Sequence, residues 1–408
     1  MPDPDTAAAG IPSGAAAPQR VASIDIFRGL TMLVMVFVNE VSEVKGVPWW
    51  SRHAPANLDY MTYVDMVFPA FLFIMGASIP LAVSRRIAKG DSAGRLWWHA
   101  IVRSLSLVVL GLLLANLHLL DPRLTGIGAT LWSAMAFTGV ILLWNVYPRS
   151  GGHDSLYRFL KGAGALLLIC AFATFRRKTE QGAGAWLDFS YWEILGLIGW
   201  AYLSACIIYL PLRKNVWILV ASLFALNAMN VVARMGPLKW LWKLPDYVWP
   251  FRTGALVSIV MAGLITSVIF LDESIARTLK AKFICALGYA AILFAAGWAL
   301  TPFGISKIRA TPTWCLYCDA VNVLLFLVLY WLADVRRHTS WAMFVKPAGS
   351  NTLLTYLLPY ILYALPGYLA IAAYWDQGWP GVIRSLLFTG LVLALAAVAT
   401  RWKLRLQL

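Results

Sequence analysis

The chain has 408 residues, of which 60% are hydrophobic and only 13% charged, with a formal net charge of +15. Soluble domains carry about 25% charged residues, so this balance excludes a soluble globular protein and predicts an integral membrane protein. The excess of Lys and Arg reads as membrane topology plus attraction to anionic lipid, and nucleic acid is not an expected partner.

Residues 1–19 are rich in Ala and Pro and lack a basic cluster. They are expected to form a disordered tail without the charged start of a signal peptide, followed by a single transmembrane domain over 20–408. A bilayer core needs about 20 apolar residues per helix. Twelve stretches qualify, near 22–41, 62–83, 97–118, 127–147, 158–175, 191–211, 215–233, 251–271, 281–300, 314–333, 350–373 and 381–400. The fifth is short and carries Gly162 and Gly164 near one end, which keeps ten spans as the alternative. The expected fold is therefore an all-α polytopic bundle. If the N-terminus is cytoplasmic, loops on its side hold most of the Lys and Arg, so the positive-inside bias places both termini in the cytoplasm. Many Trp residues near span ends, including Trp49, Trp50, Trp97 and Trp98, fit interfacial belts.

Ionisable and amide groups are expensive inside spans and mark candidate function. In chain order the first are Asp25, Arg28, Asn39, Glu40, His53 and Asp65. Asp25 and Arg28 are three apart on one helical face, a spacing for an ion pair that either fixes the helix start or meets an anionic ligand. Asn39 falls about three turns further on, at the far mouth of the span. His53 lies in the short polar loop between the first two spans, with Asp65 twelve residues on. If Asp65 accepts a proton from one imidazole nitrogen, the other is left basic and oriented, which is the arrangement of a general base; the alternative is a solvated loop histidine. Cys170, Cys206 and Cys285 lie in apolar runs, and Cys315 and Cys318 form a lone CxxC at a helix start, which reads as packing. There is no Gly-rich phosphate loop, no GxSxG and no HExxH, and no metal is expected.

Two segments carry a specific resemblance: SIDIFRGLTMLVMVFVNE from Ser23, then RHAPANLDYMTYVDMVFPAFLFIMGASIPLAV from Arg52. They resemble the catalytic segment of the transmembrane N-acetyltransferases of the heparan-α-glucosaminide N-acetyltransferase type. The matching positions are Asp25, Arg28, Gly29, Asn39, His53, Asp65, Phe68, Pro69 and Gly76. Arg103 in VRSLSLVVLG, the stretch ISKIRATPTW, and Asn351 in GSNTLLTYLL extend the likeness. The chain departs from the pattern in two places. WEILGLIGWAYL has Gly196 and Leu197 where the family carries a Gln-Arg pair, and residues near 121–175 have no counterpart and are expected to add a pair of helices.

The resemblance implies that His53 is catalytic, as base or acetyl acceptor, with Asp65 and Asn39 in the same site. It implies acetyl-CoA as co-substrate, with Arg103, Arg28, Asp25 and Asn351 expected near the donor and the 301–313 loop, with Lys307 and Arg309, walling the acceptor. The basic cluster Arg85, Arg86, Lys89 and Arg95 suits CoA phosphates or plain positive-inside topology. The implied reaction moves an acetyl group from cytoplasmic acetyl-CoA to a glucosamine-like amino sugar across a bacterial inner membrane. Expected partners are that acceptor and membrane lipid, with a homodimer left open. Two other readings compete: a twelve-helix sugar permease, and an O-acetyltransferase of envelope polysaccharide. A permease would gather its polar groups near the midplane, whereas these gather at a mouth.

Overall fold

The computed structural model describes residues 21–148, 153–179, 182, 184–244, 253–365 and 374–408. The tail expected at 1–19 and the end of the eleventh span, to 373, lie outside these residues. Among the described residues twelve apolar helices follow in order, and we number them as spans: α1 Ala22–Ser42, α2 Val64–Ala88, α3 Ala93–Asn116, α4 Ala129–Trp144, α5 Asp154–Thr174, α6 Glu193–Leu212, α7 Val216–Met235, α8 Ala255–Leu271, α9 Leu279–Ala299, α10 Pro312–Tyr330, α11 Thr352–Tyr363 and α12 Gly378–Arg401. Among the described residues nine are long and apolar enough to cross a membrane, with α10 prolonged to Val335 by a π-helical turn; α4, α8 and α11 are shorter. The all-α polytopic bundle is therefore as the sequence reads, and the short fifth stretch is a helix of 21 residues.

At the centre is α8. Every residue from Ala255 to Phe270 is buried, the signature of a helix that is apolar all round and surrounded by other helices. It lies against α2, α7, α10 and α6. The contact with α2 depends on two glycines: a β-carbon at Gly76 would stand 1.9 Å from the Val260 carbonyl oxygen, and one at Gly263 would stand 1.9 Å from that of Phe73. Helices in lipid gain their stability from such close backbone approach, because apolar tails offer no hydrophobic drive to association. The same physics joins α3 to α6, where a β-carbon on Gly111 would meet the Gly196 nitrogen at 2.2 Å. Gly111 is thus the glycine that this interface requires, whereas a β-carbon on Gly196 would lie 3.7 Å from the Gly111 Cα, an ordinary contact distance.

The added pair predicted between 121 and 175 is α4 and α5, packed on each other. Helix α1 touches α2, α10, α11 and α12. Its first free N–H groups are satisfied from a distant part of the chain: Ala22 and Ser23 donate to the two carboxylate oxygens of Asp334, at 2.7 and 2.9 Å. A carboxylate at a helix N-terminus pairs unsatisfied donors and opposes the helix dipole. The start of α1 is so fixed to the end of α10, and Asp25 and Arg28 with it.

Candidate active site

The polar loop before α2 is built around one carboxylate. Asp65, in the first turn of α2, is wholly buried. Its Oδ2 accepts from the Ala54 N–H at 3.1 Å and the Thr62 N–H at 3.0 Å, while Oδ1 lies 2.7 Å from His53 Nδ1. Thr62 also donates to the Arg52 carbonyl at 2.8 Å, and the Trp314 indole donates to the Asp65 carbonyl at 3.2 Å. One side chain therefore holds both flanks of the loop and orients the imidazole, while Trp314 ties the base of α2 to α10. A carboxylate accepts only, so Nδ1 carries the proton of this bond and the lone pair of the neutral ring is on Nε2.

A second side chain meets the imidazole from the loop before α10. Lys307 Nζ is 3.3 Å from His53 Nδ1 and 3.2 Å from Nε2. An in-plane point so nearly equidistant from both nitrogens at this range would press on Cε1, so the ammonium stands over the ring face. The Nε2 lone pair, in the ring plane, is left open. The turn that presents Lys307 is closed by Ala310 N–H donating to the Lys307 carbonyl at 2.9 Å and Thr311 N–H to Ser306 O at 3.1 Å. Asn230 of α7 braces it by donating to the Ala310 carbonyl at 2.9 Å. Burial pushes the Lys307 ammonium below the usual lysine range, with the Asp65 charge acting partly against that. Arg309 does not reach His53; it pairs with Asp59, so the two loops are linked twice.

The other residues predicted for this end are not all drawn in. Asn39 is exposed at the end of α1, and among the described residues no hydrogen bond joins it to His53 or Asp65; its carbonyl accepts from the Ser42 hydroxyl at 2.9 Å.

At the opposite end of the bundle, where α1 begins, is a cavity of about 500 Å³. Asp25, Arg28, Arg85, Arg103 and Arg405 line it, with Ser78 and Tyr356. The predicted i, i+3 pair forms, Arg28 to Asp25 at 3.5 Å, and Arg28 also donates to the Ser78 hydroxyl at 2.8 Å and the Gly349 carbonyl at 3.3 Å. The Arg103 guanidinium lies over the Tyr202 ring, 5.0 Å from its centroid, and its buried Nε has no hydrogen-bond partner among the described residues. Four guanidinium groups against one carboxylate give a cationic wall suited to phosphate. A larger recess of about 1400 Å³ adjoins it through Arg85 and Gln407 and adds Arg86, Lys89, Arg158 and Lys161.

Asn351 serves this cavity indirectly. Its amide donates to the Leu404 carbonyl at 2.8 Å and its oxygen accepts from the Leu406 N–H at 3.1 Å. It thereby holds in place the segment whose Arg405 and Leu406 form part of the cavity wall. Sequence reasoning missed Glu193, which is buried at the start of α6 with a left-handed φ of 56°. Tyr356 donates to it at 2.5 Å and Tyr360 at 3.1 Å. A non-glycine residue in that region costs about 1–3 kcal/mol and persists only where its surroundings enforce it. A lone acidic residue in the apolar run WEILGLIGWAYL was the available signal.

The cavity and the His53 group are separated along α2. From Asp65 to Ser78 the helix rises about 20 Å at 1.5 Å per residue, so the two sites face opposite ends of one helix.

Comparison with known proteins agrees with the sequence resemblance. The chain is 36% identical over 126 residues to the human protein named heparan-alpha-glucosaminide N-acetyltransferase, an alignment that spans 31% of this chain and 17% of the human protein. It is 34% identical over 122 residues to the mouse protein of the same name, spanning 30% and 17%. The likeness thus covers under a fifth of either relative. A family model described as "Domain of unknown function (DUF5009)" matches residues 20–249, more than half of the chain, and the chain belongs to that family.

Proposed function

We propose that this protein is a membrane-embedded acetyltransferase that takes an acetyl group from acetyl-CoA at the cytoplasmic face and delivers it to an amine, of the amino-sugar class, on the other side of a bacterial inner membrane. The observation that carries the reading is the group Asp65, His53 and Lys307, set at the end of α2 opposite an arginine-lined cavity.

At the cavity, Arg28, Arg85, Arg103 and Arg405 bind the phosphates of CoA through charge-assisted hydrogen bonds. A thin, extended pantetheine arm is suited to the distance along α2, and it presents the thioester towards His53. The acceptor amine must be neutral to attack. His53 Nε2 takes its proton as the bond to the acetyl carbon forms, or itself accepts the acetyl group before passing it on. Asp65 fixes the tautomer that leaves Nε2 available and compensates the imidazolium. The Lys307 ammonium, over the ring face and beside Nε2, stabilises negative charge that develops on the carbonyl oxygen. Leu197 and Gly196 contribute no charge near α3, so donor recognition in this chain rests on the arginines named above.

The reading is tested with purified protein in detergent, labelled acetyl-CoA and glucosamine, wild type beside His53→Ala. Label on the sugar amine with wild type alone supports it. Equal transfer by the variant removes His53 from the mechanism, and transfer to hydroxyl-only sugars in preference to glucosamine moves the acceptor to an O-linked class.

A further inference from the structure

The feature that the proposed reaction does not use is that Lys307 is itself a primary amine, already beside the base. Its Nζ is 3.2 Å from His53 Nε2, over the ring face, so a rotation within the lysine side chain brings it to the in-plane lone pair at which an acceptor nitrogen gives up its proton. Among the described residues no other lysine is within hydrogen-bond distance of His53. The turn closed by Ala310 and Thr311 and braced by Asn230 fixes the Lys307 backbone at a position from which the side chain reaches the imidazole.

We propose that Lys307 is a self-acetylation site, modified by the protein's own acetyl donor when no acceptor amine is bound. The inference rests on the acetyltransferase reading. In the step, the neutral Nζ attacks the acetyl carbon, a C–N bond forms and the C–S bond of the thioester breaks. The electron pair leaves on sulfur, and the proton shed by Nζ passes through His53 Nε2 to the thiolate, so that acetyl-CoA and lysine become CoA thiol and acetyl-lysine. If the acetyl group rests first on His53, the same attack breaks the C–Nε2 bond instead. Burial favours the neutral amine that this attack requires, whereas lysines fully in water stay charged.

The product changes the site in two ways. Acetyl-Lys307 carries no charge, so the ammonium over the imidazole face is lost, and the added acetyl group occupies space beside Nε2 that the acceptor needs. A protein supplied with donor but without acceptor therefore silences itself, and acceptor binding protects it.

The test is incubation of the full-length protein with acetyl-CoA alone, with acetyl-CoA plus glucosamine, and with acetyl-CoA after His53→Ala, followed by peptide mass spectrometry. Expected is one added acetyl group at Lys307 in the first case, with a parallel loss of glucosamine acetylation on later assay. Modification should be strongly reduced by glucosamine and absent in His53→Ala. Should that variant fail to fold, protection by glucosamine in wild type decides alone. Transfer to glucosamine with Lys307 unmodified overturns this inference and leaves the acetyltransferase reading standing. Acetylation of Lys307 that is equal in His53→Ala, or undiminished by glucosamine, makes it ordinary solution chemistry and also overturns the inference. Absence of both products overturns both.

Discussion

Replacing Asp65 by Asn removes one charge and no volume, and the structure says how the amide must settle. Oδ2 of Asp65 accepts from two backbone N–H groups, those of Ala54 and Thr62, in a wholly buried position. If the amide nitrogen took that place, two buried donors would face a donor, at about 1–3 kcal/mol for each. The amide oxygen therefore stays with the backbone, and the NH2 group is turned to His53 Nδ1 across the 2.7 Å contact. Two donors cannot share that hydrogen bond, so the imidazole shifts its proton to Nε2, a change of tautomer far cheaper than the alternative. Nε2 then has no lone pair for the acceptor, and turnover should fall on the order of 100- to 10,000-fold, the range for loss of a positioned base or its orienting carboxylate. Affinity for acetyl-CoA should hardly move, because the donor cavity lies about 20 Å away along α2. Steady-state acetyl transfer to glucosamine, read beside direct CoA binding, separates the two quantities. Turnover within about fivefold of wild type, a barrier change of only about 1 kcal/mol, would refute the assignment of the base.

Three more outcomes follow from the geometry. Arg103→Ala removes a guanidinium that lines the donor cavity and should weaken CoA binding about tenfold, near 1.4 kcal/mol, with turnover at saturating donor little changed; calorimetric binding of CoA checks this. Lys307 is held below the usual lysine range by burial, so its ammonium is lost at lower pH than that of an ordinary lysine, and activity that depends on it falls as pH rises through that point. Lys307→Met should lower turnover and erase that alkaline limb from the pH–rate profile; a limb unchanged in the variant assigns it to another group. Gly263→Leu forces atoms into the Phe73 backbone, 1.9 Å from where even a β-carbon would stand. Overpacking costs about 1–3 kcal/mol where side chains can yield and more against backbone, so the thermal midpoint in detergent should drop clearly, and an unchanged midpoint would contradict the packing described for α2 and α8.

Much of this architecture is legible in the sequence because a bilayer allows few solutions. Each span needs about 20 apolar residues with its hydrogen bonds made internally, so most of the twelve could be placed within a few residues; the exception is α11, which ends at Tyr363, well short of the expected 373. The Asp25–Arg28 pair was readable for a similar reason, since helical spacing alone puts i and i+3 on one face. The His53–Asp65 contact was permitted by loop length without being required. Lys307 stands some 250 residues from His53, and nothing local in ISKIRATPTW says that the lysine meets the imidazole while Arg309 turns to Asp59; that partition is set by how α7 and α10 brace the loop. Asn351 was read as part of the donor site, and its amide instead secures the segment around Leu404 and Leu406, a pairing that only tertiary structure reveals. The close approach at Gly111 and Gly196 was equally hidden, because a glycine in an apolar run does not say which helix it admits.

The measurement that meets the central claim most directly is sided transfer in proteoliposomes, with labelled acetyl-CoA confined to one compartment and glucosamine to the other. The account predicts N-acetylglucosamine appearing in the glucosamine compartment of vesicles whose donor faces the arginine-lined cavity, abolished by His53→Ala. Product formed only when both substrates share one compartment would contradict it.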